Sequence, residues 1–297
     1  MFHLRCLNLK ITYDCTNKCQ FCFSSYLKDI KISLDGLIKA VKNGKHSGCN
    51  ELVISGGEPT LYPDTIIKIM SLAEHIGYEK FIIQTNGSGL ANNSDLLAFL
   101  NRLSKKKEVC ISFSIHGHCA EIHDKMSSCD GAFELLIKAM DNIYHSSCKL
   151  YTNTVVSSFN IHHLKEIASL VSEYEPEIIQ FSMMHLDKPS KLSTGLLETV
   201  SAIHSLKGSV NSNVLKTEGI PFCLMYGMEE CVGEAYWPES LDLYNKNNDY
   251  MHDFRQLDYG MRWKADSCSQ CIMNEICTGI WKEHKNEFLN SGIHPIC

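Results

Sequence analysis

What the chain lacks narrows its chemistry before any motif is read. No run of about 18 apolar residues occurs, so no segment is long enough to cross a bilayer as a helix. The opening residues, Met1-Phe2-His3-Leu4-Arg5-Cys6, lack the charged start and apolar core of a secretory signal. Basic residues are not in surplus: 28 Lys and Arg stand against 34 Asp and Glu, a net charge of −6. A nucleic-acid footprint needs a basic patch, so an RNA or DNA substrate is disfavoured. The expectation is a cytoplasmic protein with neither a membrane nor a nucleic acid as partner.

Cysteine is the opposite case, with fifteen in 297 residues. In a small secreted protein that would mean disulfides. This chain is long, its count is odd and it shows no secretion signal, so reduced, metal-ligating thiols fit better. Two groups have metal-like spacing. The others, Cys6, Cys49, Cys110, Cys119, Cys129 and Cys148, are scattered singly and read as small buried hydrophobes or incidental thiols.

The first group is Cys15-Thr16-Asn17-Lys18-Cys19-Gln20-Phe21-Cys22, directly after an alternating apolar run. Three thiolates on one irregular loop can close around an iron–sulfur cluster, which normally takes four. One iron would then stay open to another ligand. A zinc site is the alternative, but it would need a fourth Cys or His in register. The nearest, His46 and Cys49, fall in or just after a predicted helix. Zinc explains neither Phe21 nor Gly56-Gly57-Glu58-Pro59, which closes the next strand-like run.

Strand-like runs at 7–13, 51–55, 80–85, 109–115, 150–157 and 177–184 alternate with helix-like runs at 33–45, 63–76, 94–103, 131–145, 162–174 and 194–206. Ser33 is suited to cap the first helix and Pro63 to open the second. Strands separated by helices pair in parallel through right-handed crossovers, so the fold class is α/β, a partial or full (β/α) barrel of six units. Ligands gather at the C-terminal ends of such strands. The cysteine loop, Gly56 to Pro59, Thr85-Asn86-Gly87 and Ser114 to Gly117 all fall there.

Gly56 and Gly57, without side chains, would let backbone approach a ligand closely. Glu58 could accept a hydrogen bond from a ligand ammonium, and Pro59 fixes the turn. Thr85, Asn86 and Asn153 are strand-end polar residues that either line a pocket or only form turns and edges. The His116 to Asp124 segment matches no common closed metal site and reads as a solvated or substrate-facing loop. His162 and His163 open a helix and are expected to be exposed. After Lys207 the alternation stops, which predicts a barrel over 1–207 and a small irregular domain over 208–297, stapled by metal. That region carries the second group, Cys268-x2-Cys271-x5-Cys277, with Cys223, Cys231 and Cys297 beside it.

The pattern C-x3-C-x-aromatic-C followed by GGEP resembles the radical S-adenosylmethionine (SAM) superfamily. The second cysteine group resembles the core of the SPASM and twitch auxiliary-cluster domains. The resemblance implies a six-unit partial barrel with a [4Fe–4S] cluster on Cys15, Cys19 and Cys22. It implies that the open iron chelates the amino and carboxylate groups of SAM. An electron from a reduced flavodoxin- or ferredoxin-type donor then cleaves SAM to methionine and a 5′-deoxyadenosyl radical, which abstracts a substrate hydrogen. It assigns the SAM amino contact to Gly56, Gly57 and Glu58 beside Pro59, and the ribose contact to Ser114, which shares a strand face with Ser112. Asn86 and Asn153 would lie near the same cofactor.

The second group departs from the full pattern. Trp281 stands where a further cysteine is usual, and Cys223 and Cys231 are closer together than usual. That implies one auxiliary [4Fe–4S] cluster on Cys268, Cys271, Cys277 and a fourth thiolate. Cys223 is the first choice because Pro221 stiffens its approach; Cys297 and then Cys231 follow. A structural zinc site on the same thiolates stays open.

The implied activity is peptide modification by cross-linking, thioether formation, epimerisation or oxidation. The first strand starts so early that no peptide-recognition domain is expected before it, which keeps a twitch-type dehydrogenation of a small alcohol or sugar in play. A free Cys223 or Cys231 would instead suggest hydrogen-atom donation. A non-catalytic iron–sulfur or zinc scaffold is the reading from another class.

Overall fold

Leu7, Leu9 and Ile11 alternate with Asn8, Lys10 and Thr12 along the first strand, and that alternation sets two faces for the whole sheet. The structure is a computed structural model. It describes residues 5–22, 24–27, 30–185, 190–238, 240–245, 250–253, 260–294 and 296.

Six strands alternate with helices: β1 (Arg5–Thr12), β2 (Glu51–Gly56), β3 (Lys80–Thr85), β4 (Glu108–Ser114), β5 (Lys149–Val156) and β6 (Ile178–Met183). The helices are α1 (Leu34–His46), α2 (Pro63–His75), α3 (Ser94–Ser104), α4 (Ala120–Ser127), α5 (Ala132–Tyr144), α6 (Leu164–Ser172) and α7 (Leu196–His204). Ser33 caps α1, accepting from the Gly36 N–H at 3.1 Å, and Pro63 opens α2. β1 to β6 pair in parallel in chain order, giving a partial TIM-like barrel. The helix side of the sheet carries Leu9, Ile54, Phe81, Phe113 and Phe181, all fully buried. Each contributes about 1.5–3 kcal/mol of burial free energy.

The region after Lys207 is less separate than the sequence suggests. β7 (Leu215–Glu218) extends the sheet beyond β6, and β8 (Ser240–Tyr244) pairs in parallel with β1 on the opposite side. A short antiparallel β9 (Tyr250–Met251) completes the order β7-β6-β5-β4-β3-β2-β1-β8-β9. Two further short strands, β10 (Arg262–Trp263) and β11 (Ile280–Trp281), form an antiparallel pair, followed by α8 (Lys285–Asn290). Glu287 of α8 accepts the Leu196 and Leu197 N–H groups at the start of α7, at 2.7 and 2.9 Å. The C-terminal region thus satisfies donors that a helix N-terminus leaves open.

At the N-terminal ends of the strands an ion ladder runs across the sheet. Lys80 bridges Glu51 at 3.1 Å and Glu108 at 4.0 Å; Lys149 bridges Glu108 at 3.4 Å and Glu177 at 3.0 Å. At the C-terminal ends the concave face is polar, with Lys10, Ser55, Ser114, Asn153, Gln180 and Glu218. The two ends therefore differ in kind: a charged floor, and a rim of mainly uncharged polar groups.

Candidate functional site

The rim is built where β1 and β2 end side by side. A Cβ on Gly56 would stand 2.0 Å from the Thr12 carbonyl oxygen, and one on Gly57 2.2 Å from that of Asp14. Gly56 also sits at φ +137°, where side chains are strained. The space is taken by two backbone bonds: Gly57 N–H to Thr12 O at 2.8 Å, and Glu58 N–H to Asp14 O at 2.7 Å. The glycines therefore admit the chain's own backbone, a task that the sequence reading did not foresee. They lock β2 against the residue that precedes Cys15.

Glu58 also has a different task from the expected one. Its side chain is fully buried. One carboxylate oxygen accepts from Thr60 N–H at 2.9 Å, from the Thr60 hydroxyl and from the Thr85 hydroxyl at 2.6 Å; the other accepts from Asn86 N–H at 2.6 Å. Four donors meet a group with about four lone-pair sites. Three of these donors share Oε1, and the side chain is spent on holding the chain's own turns. Glu58 caps the 3-10 turn Pro59–Leu61 and ties it to the end of β3. Burial pushes its pKa up, while these hydrogen bonds pull it back.

Asn86, held at its backbone by Glu58, turns its side chain to the cysteine loop. Its Nδ2 donates to Cys15 Sγ at 3.6 Å and to Thr16 Oγ1 at 3.0 Å. On the loop's other side, Lys18 N–H donates to Ser127 O at 2.8 Å and Gln20 Nε2 to Lys125 O at 3.1 Å. These acceptors belong to α4, which occupies part of the His116 to Asp124 stretch. That stretch, read as a solvated or substrate-facing loop, is in part helix. His116 and His123 are buried and stacked at 5.8 Å, and Phe21 sets its ring edge-on to His116 at 4.8 Å. Burial holds both imidazoles neutral, pushing His116 down to about 3 and His123 to about 4. His163 is half-buried, its ring 5.1 Å from that of His118, whereas His162 is exposed.

Cys15, Cys19 and Cys22 are half-buried on this doubly anchored loop. Cys22 N–H donates to Cys19 O at 3.1 Å. Burial, and then the neighbouring Cys15 and Cys22 thiols, push Cys19 up to about 12. Among the described residues no group of three or more His, Cys, Asp or Glu is placed to hold a metal ion. The sequence reading missed Lys10. Its ammonium is on the concave face near Cys22 and has no hydrogen bond or ion pair among the described residues; burial pushes it down to about 8. The available signal was a charged residue at an inward position in the middle of an alternating apolar strand.

Ser114 is half-buried at the end of β4, in register with Asn153 on β5. The single Ser182 hydroxyl proton is shared between Asn153 Oδ1 at 2.7 Å and Glu218 Oε2 at 2.8 Å, and Glu218 also accepts from Gln180 at 3.0 Å. Asn153 thus joins a network across β5, β6 and β7.

In the second cysteine group, burial and then the thiols of Cys277, Cys268 and Cys271 push Cys223 up to about 12. Cys223 is thus near enough to those three thiols to feel them, although among the described residues no group of three or more is placed to hold a metal ion. Gly279 N–H donates to Cys277 Sγ at 3.4 Å. Cys231 stands apart: it is buried, its thiol faces Ser212 O at 3.7 Å, and its charged neighbours are Glu230 and Lys216. Its carbonyl accepts from the Thr217 hydroxyl of β7 at 3.3 Å, and none of the other cysteines of this group is among its charged neighbours. Cys297 lies outside the described residues. Trp281 stacks on His185 at 4.5 Å and on the Arg262 guanidinium at 3.9 Å, and Arg262 pairs with buried Glu234 at 3.0 Å.

This arrangement has known counterparts. An S-adenosylmethionine-dependent nucleotide dehydratase of Fibrobacter sp. (strain UWH6) is 26% identical over 172 residues, 53% of this chain and 49% of the relative. The chain spans about half the length of the curated relatives it matches. In fold it is similar to Streptococcus suis SuiB bound to precursor peptide SuiA, with TM-score 0.69 and 16% identity, covering 100% of this chain and 75% of that one. It is also similar to anSMEcpe with bound AdoMet and the Kp18Cys peptide, with TM-score 0.66 and 15% identity, covering 94% and 89%. Residues 9–171, more than half of the chain, match the radical SAM superfamily, and the chain belongs to it.

Proposed function

We propose that this protein cleaves SAM reductively and abstracts a hydrogen atom from a substrate held at the rim of the partial barrel, with a peptide as the leading substrate class. One observation carries the proposal: Cys15, Cys19 and Cys22 share a single loop at the C-terminal end of β1, pinned by Gly57 and Glu58 on one side and by α4 on the other. Soft thiolates in this number suit a [4Fe–4S] cluster with one open iron. When bound, cluster and SAM supply an electron and a carbon-centred radical; the protein positions and shields them.

Cys15, Cys19 and Cys22 would hold the barrel cluster. The backbone of Gly56 to Pro59, with Asn86, Ser114 and Asn153, would border SAM. Cys223, Cys268, Cys271 and Cys277 would hold one auxiliary cluster, and a flavodoxin- or ferredoxin-type protein would donate electrons. The likeness in fold to SuiB with SuiA and to anSMEcpe with its peptide supports a peptide substrate. A second reading, a small anionic substrate, is favoured by Lys10 on the concave face, which has no hydrogen bond or ion pair among the described residues. The nucleotide dehydratase and GTP 3′,8-cyclase relatives of the barrel region point the same way.

The test is iron and sulfide content, with anaerobic 5′-deoxyadenosine formation, in wild type and in a Cys15/Cys19/Cys22→Ala variant. Assays run with candidate peptides and, separately, with nucleoside triphosphates. Product from wild type alone supports the reading, and the substrate that accelerates it separates the two classes. Absence of iron after anaerobic reconstitution refutes it.

A further inference from the structure

We propose that Asn86 is a positioning residue that sets the electron affinity of the barrel cluster through an N–H···S hydrogen bond to Cys15; this rests on Cys15, Cys19 and Cys22 being that cluster's ligands. The bond is Nδ2 to Sγ at 3.6 Å. The amide has one workable orientation. Its Oδ1 accepts from Ser88 N–H at 2.9 Å, and Nδ2 spends its other proton on Thr16 Oγ1 at 3.0 Å. Flipping the amide would set two donors against each other at Ser88 and an acceptor against the thiolate.

The backbone is fixed as well, since Asn86 N–H donates to Glu58 Oε2 at 2.6 Å and Gly87 N–H to Thr85 Oγ1 at 2.9 Å. Glu58 is buried and held by four donors, so the donor is aimed at Cys15 by a rigid support rather than by chance contact. Hydrogen bonds to ligating sulfurs are one of the established levers on cluster potential. The reduced cluster carries one more negative charge than the oxidised, and an N–H dipole aimed at a ligand thiolate favours it. Glu58, the third residue of the Gly56 to Pro59 turn, thereby acts on the cluster's electron supply through Asn86 in the turn after β3.

The experiment is a redox titration of the anaerobically reconstituted full chain, following the electron paramagnetic resonance signal that changes on adding SAM. Asn86→Ala removes the donor. Asn86→Asp keeps the Ser88 acceptor and removes the donor. Thr16→Ala keeps the donor. At a fixed solution potential the reduced-to-oxidised ratio should fall about tenfold in Asn86→Ala, a shift of about 59 mV for a one-electron couple. Asn86→Asp should fall at least as far, and Thr16→Ala should stay within about twofold.

A wild-type midpoint in an iron-replete Asn86→Ala overturns the proposal, as does a shift in the Asp variant alone, which would be a charge effect. Should Asn86→Ala take up no iron, wild type labelled with nitrogen-15 at asparagine side chains decides. A coupling to the reduced cluster that Asn86→Asp abolishes supports the bond, and its absence overturns it. Failure of wild type to take up iron would instead refute the reading of the cysteine loop.

Discussion

Replacing Gly57 by Ala tests the claim that the glycine turn holds chain against chain. The new Cβ would stand 2.2 Å from Asp14 O and 2.7 Å from the carbonyl carbons of Asp14 and Tyr13. All three are backbone atoms and cannot swing away. Ordinary contact begins at 3.4 Å, so β1 and β2 must part by about 1.2 Å (3.4 − 2.2). A separation of that size breaks Gly57 N–H to Thr12 O and Glu58 N–H to Asp14 O. Overpacking costs about 1–3 kcal/mol. Each buried group left unpaired costs about 1–3 kcal/mol more. With one unpaired group for each of the two broken bonds the sum, about 3–9 kcal/mol, is a large part of the roughly 5–15 kcal/mol that stabilises a domain. Urea unfolding of the anaerobic protein, with iron measured in parallel, should show a lower midpoint and a loss of barrel iron. Gly260→Ala is the control: among the described residues nothing lies within 4 Å of its Cβ, so it should stay within about 0.5 kcal/mol of wild type. A Gly57→Ala protein with wild-type midpoint and iron but weakened SAM binding would refute the reasoning, because the glycine would then be making room for ligand.

Three further outcomes follow from the same contacts. Glu58→Gln swaps an acceptor for a donor in a site of four donors and should cost about 1–3 kcal/mol by thermal unfolding; full stability with lost SAM affinity would mean that the carboxylate faces the ligand after all. His116 and His123 are neutral when folded, at about 3 and 4 against an ordinary 6.5. Unfolded chains take up these protons first, so the contribution is complete above pH 6.5 and lost as pH falls towards 4, by up to about 1.4 kcal/mol per histidine per pH unit. His123→Gln should flatten the fall of the urea midpoint with acid, and an unchanged slope would count against burial as the cause. Cys268/Cys271/Cys277→Ala should take reconstituted iron from about eight to about four per chain; zinc loss at constant iron would assign the second group to a structural zinc.

The readable parts of the sequence were those in which one residue type has one task. β3 spans 80–85 as the alternation of strand-like and helix-like runs predicted, and Ser33 caps α1 as expected, accepting from Gly36 N–H. The cysteine loop sits at a strand's C-terminal end because parallel topology permits nowhere else. What escaped reading depended on partners distant in sequence. β8 carries Asp242 on its helix side, which breaks the apolar alternation. Its burial is tolerated because the Tyr250 hydroxyl donates to it at 2.5 Å and Asp253 N–H at 3.2 Å. β7 has only four residues, too few for a period to show. Glu58 and the His116–His123 stack were given ligand-facing roles because their chemistry allows it; the Thr85, Asn86 and Phe21 contacts that occupy them are set only by tertiary structure.

The ion ladder beneath the barrel has a consequence for how this sequence can change over generations. Lys80, Glu108 and Lys149 each serve two neighbours, and all the members are partly exposed, so any single pair contributes only about 0–1 kcal/mol. Reversing one interior charge turns two attractions into two repulsions at once, and a second reversal next to it repairs only one of them. Substitutions at these strand starts are therefore epistatic. The five positions can drift to the opposite polarity as a set, but each intermediate along the way is poorer than either end.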